Sequence, residues 1–238
     1  GPTGVEIAGE LVARYGAGKK NITLVGAGKQ LIGEQFSAAV HKKLMSQLEK
    51  AKVKVILNDQ VDLPEGTSTG PLSSPQTFST KAGKTISNVD YVQLSFFGKP
   101  NSSIVSSADG SAVDASGFIK TDPATFRVQS SKLTRHFALG DVSNLRPGLT
   151  HAQAANAQAP TLAGNLLALA KANAEGKDAS KVALKPFKPM PTLIVVPFGP
   201  NGGVSQLPFM GTFGEWVTGL IKGKSLFLSN FDGMYKTA

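Results

Sequence analysis

Apolar positions recur at three- and four-residue intervals along the first fifteen residues, at Val5, Ala8 and Val12, with Glu6 and Glu10 between them. That spacing predicts a helix over 3–15. A Gly/Lys turn over 15–20 leads into the β-rich run 21–25, Asn-Ile-Thr-Leu-Val, which reads as a strand. Ser37 stands where an N-cap would, ahead of a helix to about Ala51 whose stripe is Val40, Leu44 and Leu48. Residues 53–57 form the next strand. Helix, strand, helix, strand is the order of a βαβ unit with its first strand cut away.

Beyond this the pattern loosens. Residues 64–75 are rich in Ser, Thr, Gly and Pro and read as a surface loop. Residues 77–80, the turn Lys81-Ala-Gly-Lys84 and the run from Thr85 suggest a β-hairpin. Residues 90–97 read as an apolar strand stopped by Gly98-Lys99-Pro100, and 117–121 as a short strand. The run 135–141, Arg-His-Phe-Ala-Leu-Gly-Asp, reads as a strand ending in Gly-Asp, followed by an alanine-rich helix from about His151 to Asn173. From Phe187 the composition shifts toward Pro, Gly and Phe. Strands are predicted at 192–196 and 204–207, around Gly199-Pro-Asn-Gly-Gly203, and a short helix at 213–222. This part reads as a small separate module, with Phe209, Phe213, Trp216 and Phe227 expected in its core.

The 238 residues are 41% apolar and 17% charged, a globular composition. No apolar run has helix-spanning length. The chain has no cysteine, which excludes from it a disulfide scaffold, a thiolate metal site, a redox-active cysteine pair and a cysteine nucleophile. Its three histidines, His41, His136 and His151, are scattered, so neither a metal cluster nor a catalytic triad is indicated, and His41 reads as a surface residue. The net charge of +9 favours anionic partners, whether nucleotides, nucleic acid or an acidic membrane surface. No block of five basic residues occurs, and solvated lysines are the simpler account of the charge.

Two sites carry candidate chemistry. The first helix opens Gly1-Pro2-Thr3-Gly4, which lets an anion approach its N–H groups and dipole end. It matches the last part of the dinucleotide fingerprint Gly-x-Gly-x-x-Gly, and it also matches an ordinary capped helix. At the end of the following strand, where an acid usually holds the adenosine ribose, stands Gly26-Ala-Gly-Lys29. That sets no preference between NAD and NADP; Lys29 either meets a 2′-phosphate or is a solvated loop lysine. The second site is Gly140-Asp141. A carboxylate just past a strand end accepts hydrogen bonds from sugar or ribityl hydroxyls, and the N-terminus of the next helix stabilises negative charge on a ring. Read alone the pair is a turn; read beside the opening motif it is a ligand site.

The runs GPTGVEIAGEL, ITLV, the strand ending Phe97-Gly98, and HFALGDV before an alanine-rich helix resemble the two-dinucleotide-fold flavoprotein reductases, in particular the apoptosis-inducing-factor-like group. Residues 198–206 and 222–229 look like the ferroptosis suppressor protein subgroup, which is related to type II NADH dehydrogenases. The resemblance implies an α/β, Rossmann-like fold in three parts. Residues 1–100 would be an NAD(P)H-binding domain without its first strand, 101–178 the C-terminal half of an FAD-binding domain, and 179–238 a small α+β C-terminal module.

It further implies that FAD and NAD(P)H are the cofactors. A hydride would pass from nicotinamide to flavin, and electrons on to a quinone or other small acceptor. Gly1, Pro2, Thr3 and Gly4 would lie at the NAD(P)H pyrophosphate, with Lys29, Phe97 and Gly98 along the same nucleotide. Gly140 and Asp141 would meet the FAD ribityl and phosphate region, and Thr150, His151 and Ala152 the flavin pyrimidine edge. Phe97 departs from the family's usual threonine. Glu6 matches a catalytic glutamate that the family pairs with a lysine; that lysine is expected outside these residues, leaving Glu6 unpaired and Lys222 solvated.

The first FAD half is also expected outside them, so the chain reads as a fragment that alone holds FAD loosely and is inactive. Two other functions compete: a basic nucleic-acid-binding, apoptosis-related protein, and a truncated remnant that binds NAD(P)H weakly. The resemblance places the protein in the cytoplasm, with peripheral membrane contact an open alternative.

Overall fold

The computed structural model describes residues 1–95, 99–145, 152–189, 193–224, 226 and 228. It divides into two compact units, residues 1–96 with 192–238, and residues 97–191.

In the first unit, α1 (Pro2–Tyr15) starts on Pro2, whose fixed φ suits a first helical position and whose missing N–H is no loss there. It ends at Gly16, whose N–H bonds to the Val12 carbonyl at 2.8 Å. β1 (Thr23–Gly26) and β2 (Lys54–Leu57) pair in parallel, Thr23 opposite Lys54, joined by α2 (Ala38–Lys50). Val5 and Ala8 of α1, Val40, Leu44 and Leu48 of α2, and Leu31, Ile32, Phe36, Ala51 and Val53 form one core. The predicted helices, strands and stripe are therefore present. Ser37 is at the N-cap position but makes no side-chain cap. Its N–H bonds to Gln206 Oε1 at 2.9 Å and its hydroxyl pairs with Thr212 at 3.1 Å. His41 is half-buried rather than a free surface residue, because its Nδ1 accepts the Leu31 N–H at 3.3 Å.

The hairpin is β3 (Gly70–Ser79) with β4 (Thr85–Val92). β3 takes in the second half of the predicted 64–75 loop. Pro71 and Pro75 lack a ladder donor, and the register shifts between Pro71 and Gln76 and again before Phe78, as proline requires of an edge strand. The strand expected over 90–97 ends at Val92.

The C-terminal segment differs most from expectation. β5 (Ile194–Phe198), β6 (Gly202–Leu207) and β7 (Gly211–Phe213) form an antiparallel sheet, and Val196 and Val204 are fully buried in the core of α1 and α2. It is thus part of the first unit and not a separate module. Two contacts show why. Gly9 of α1 has no side chain where the Phe198–Gly199 backbone crosses it: a Cβ there would lie 2.6 Å from Phe198 Cα. Gln47 of α2 grips Gly203 from both sides, its Nε2 donating to the carbonyl at 3.0 Å and its Oε1 accepting the N–H at 2.7 Å. The predicted 213–222 helix is broken into α5 (Glu215–Thr218) and a π-helical turn, Gly219–Gly223. Gly219 and Gly223 lay that turn on Pro200 and Asn201. The aromatics expected in the core part company: Phe213 is half-buried, Phe209 is 98% exposed and Trp216 80% exposed, and Phe227 lies outside the described residues.

In the second unit, α3 (Ser103–Ala108) precedes a core of Ala112, Ile119 and Val128, and α4 (Ala152–Ala174) is the long helix. The strands expected at 117–121 and 135–141 are reduced to single bridges, Val113 with Ile119, Thr121 with Val128 and Arg127 with Phe137. Side chains do the tying instead. Asp114 accepts the Ser116 and Phe118 N–H groups, Asp122 those of Ala124 and Thr125, and Asn144 that of Thr121. Asn165 of α4 clamps Lys185, accepting its N–H at 2.8 Å and donating to its carbonyl at 3.0 Å. No described helix is long and apolar enough to cross a membrane.

Asp109 supplies an acid-sensitive joint in this unit. Hydrogen bonds from the Ser130 hydroxyl and from Ser111 hold its carboxyl down to about 2. An unfolded aspartate titrates near 3.9, so the unfolded chain binds the proton first as pH falls. The stability this network contributes is complete above pH ~4 and is lost as pH falls toward ~2. Asp109→Asn is expected to be less stable at neutral pH and to show a shallower acid-unfolding slope over that window, measured by urea midpoints at stepped pH. Equal slopes would show that Asp109 does not titrate differently in the two states.

Candidate functional site

In the first unit the start of α1 has Gly1 as N-cap and no side-chain cap, so its leading N–H groups are free to meet an anion. A Cβ on Gly1 would find only the Ser95 carbonyl, at 3.9 Å. Gly4 packs close, with Ser95 Cβ at 3.6 Å and Leu24 of β1 at 3.7 Å from the position of a Cβ. Pro2 and Thr3 complete the first turn. The loop after β1 is laced to the loop after β2: Asn58 N–H bonds to the Gly28 carbonyl and Asp59 N–H to that of Gly26, both at 3.1 Å. Lys29 projects from this loop, exposed. Asp59 is structural. Burial raises its pKa, but the Thr80 hydroxyl, the Ala82 and Gln60 N–H groups and the Lys84 charge outweigh this and leave it low.

Glu6 is paired, contrary to expectation. Lys222 Nζ lies 2.8 Å from its Oε1, with the two side chains 22% and 28% exposed. Lys222 is therefore not simply solvated. The π-helical turn over Pro200 brings it to α1, across 216 residues of sequence.

In the second unit Gly140 begins a 3₁₀ turn, Gly140–Val142, at φ 70. Its N–H donates to Gln158 Oε1 at 3.0 Å and its carbonyl accepts the Ser143 hydroxyl at 2.8 Å. Asp141 follows, exposed. Ala152 is the first residue of α4. Thr150, His151, Phe97 and Gly98 lie outside the described residues.

Among the described residues, the buried side-chain polar atoms without a partner are Gln30 Oε1, Ser95 Oγ and Gln158 Nε2. Each lies beside a position singled out from the sequence: Gln30 follows Lys29, Ser95 lies against Gly4, and Gln158 holds Gly140. A buried polar group left unpaired costs about 1–3 kcal/mol, so each of these atoms calls for a ligand or an ordered water to complete it. The residues present thus fit nucleotides in both units. Ser95, Gln30, Gln158 and Ser143 had no sequence signal, since none belongs to a spaced motif. Among the described residues no group of His, Cys, Asp and Glu is placed to hold a metal ion.

Residues 1–159 match the family described as pyridine nucleotide-disulphide oxidoreductase. Apoptosis-inducing factor homolog A of Dictyostelium discoideum is 25% identical over 244 residues, covering 97% of this chain and 57% of that protein. Oxidoreductase ptaL of Pestalotiopsis fici is 37% identical over 148 residues, 60% of this chain and 35% of its own length. Among solved structures, a FAD-dependent pyridine nucleotide-disulphide oxidoreductase from Desulfovibrio vulgaris superposes with a TM-score of 0.56 at 23% identity, over 86% of this chain and 46% of that one, a likeness of fold. The chain spans just over half the length of the first of these relatives.

Proposed function

The chain belongs to the pyridine nucleotide-disulphide oxidoreductase family, and on that premise we propose that it works within an NAD(P)H-dependent flavin oxidoreductase that passes electrons to a quinone-like acceptor. Proteins of this family use FAD and NAD(P)H. When bound, these cofactors supply the hydride and electron chemistry.

The chain's own residues bind and orient. The open start of α1, with Gly1 through Gly4, receives the dinucleotide pyrophosphate. With no acid at the end of β1 and Lys29 exposed beside it, the site accepts NADH and NADPH alike. Glu6 and Lys222 hold a fixed pair of opposite charges less than two turns from that start, where they orient the nicotinamide. Asp141 receives the ribityl and phosphate chain of FAD. The observation that supports this reading most directly is the placement of Gln30, Ser95 and Gln158, whose unpaired buried atoms accompany the three expected contact regions.

The test is an absorption spectrum of the chain with FAD, taken alone and with the N-terminal half of the flavin fold supplied. Stoichiometric flavin is expected only with both halves, bleached by NADH and recoloured by a soluble quinone. Failure to take up flavin in either form would overturn the reading. Bleaching without recolouring by quinone would leave the cofactors standing and remove the acceptor.

A further inference from the structure

Gln158 is fully buried on α4, and its amide is only half used. The Gly140 N–H can be met by the oxygen of that amide and not by its nitrogen, so the hydrogen bond at 3.0 Å fixes which end faces the turn. Ser143, also fully buried, holds the other side of the same residue through its hydroxyl and its N–H, at 2.8 and 3.2 Å to the Gly140 carbonyl. Ala155, one turn before Gln158, closes the space above Gly140, where a Cβ would come within 3.2 Å of its own. The turn that presents Asp141 is therefore held from both sides. In a planar primary amide one N–H points to the same side as the carbonyl. Gln158 Nε2, which has no acceptor among the described residues, thus directs a hydrogen toward the side on which Gly140, the residue before Asp141, lies.

We propose that Gln158 is a flavin-contacting residue: Oε1 positions the Gly140–Asp141 turn, and Nε2 donates a hydrogen bond to an oxygen of the ribityl or phosphate chain of FAD. The proposal rests on the FAD reading above. It asks for an acceptor-rich, sugar-phosphate ligand, because an amide nitrogen can only donate.

Gln158→Glu separates the two roles. It keeps an oxygen for the Gly140 N–H and loses the donor when ionised, yet regains an O–H donor when protonated. The measurement is the dissociation constant for FAD, by flavin fluorescence, in the two-half protein. Gln158→Glu is expected to bind FAD about tenfold or more weakly at pH ~8 and to recover toward wild type at pH ~6, where a buried carboxyl takes up its proton. The wild type should be flat over the same range. Ser143→Ala, which loosens the turn without touching the donor, should weaken binding by no more than about threefold and without pH dependence. The melting temperature of each cofactor-free variant reports folding separately.

Wild-type affinity in Gln158→Glu at both pH values would overturn the proposal and leave FAD binding intact. Equal, pH-independent losses in Gln158→Glu and Ser143→Ala would also overturn it, reducing Gln158 to a support for the turn. If the wild type itself takes up no flavin, the functional reading fails, and the proposal with it.

Discussion

Gly9→Ala is expected to lower the unfolding free energy by about 3 kcal/mol or more and to unseat the C-terminal sheet. The added methyl would meet backbone, not a movable side chain: the Cα and carbonyl carbon of Phe198, both at 2.6 Å, and the N–H of Gly199. Neither α1 nor the β5–β6 turn can yield alone. α1 is held by Val5 and Ala8 in the core, and the turn by Gln47 on one flank and Gly223 against Pro200 on the other. In an open helix the same substitution would stabilise by up to ~1 kcal/mol, because alanine is the better helix former. Gly164 of α4 is the internal control, since a Cβ there meets nothing within 4 Å. Urea midpoints of opposite sign for Gly9→Ala and Gly164→Ala would establish the close approach. A Gly9→Ala protein as stable as wild type would show that the sheet does not dock on α1.

The elements legible in the sequence are those whose packing is local. Val5, Ala8 and Val12, then Val40, Leu44 and Leu48, sit at helical spacing because each helix buries a single stripe in the same core. The hairpin turn at 81–84 is read from its own residues. What escaped depends on partners far along the chain. The run 64–75 has loop composition, yet its second half is drawn into a ladder by residues 85–92. The strands expected at 117–121 and 135–141 carry strand composition but find only single bridges: the Phe118 and Thr121 N–H groups go to Asp114 and Asn144, and the Gly140 N–H goes to Gln158.

The C-terminal segment shows the limit most clearly. Its aromatics suggested a self-contained core, but burial is supplied by Val196 and Val204 against α1 and α2, leaving Phe209 and Trp216 exposed. The glycine motifs at 1–4 and 140–141 could be read as chemistry because a nucleotide needs bare backbone at fixed spacing. Gln158, Ser95 and Gln30 could not, since each acquires meaning only from a neighbour that folding brings to it. The same holds for Lys222, whose link to Glu6 exists only because the C-terminal sheet docks.

That link predicts the second large effect. Lys222→Met and Glu6→Gln should each slow flavin reduction by NADH by about 100-fold, the scale on which a preorganised charge at a reacting centre acts. Their effect on stability should stay within about 2 kcal/mol, because the pair is part-buried, 22% and 28% exposed, and the charge left by either change still reaches water. Docking of the sheet is carried by Gly9, Gln47, Val196 and Val204, so removing the ion pair leaves it in place. The double variant should be no slower than the worse single one, since either change abolishes the same pair. Rapid-mixing absorbance of the flavin, with urea midpoints on the same samples, separates the outcomes. A fall in stability with an unchanged rate would make Lys222 a staple between the C-terminal turn and α1. A fall in rate for Glu6→Gln alone would mean that the carboxylate acts without its partner. Only loss of rate in both, at nearly unchanged stability, fits a pair whose use lies in the field it sets beside the start of α1.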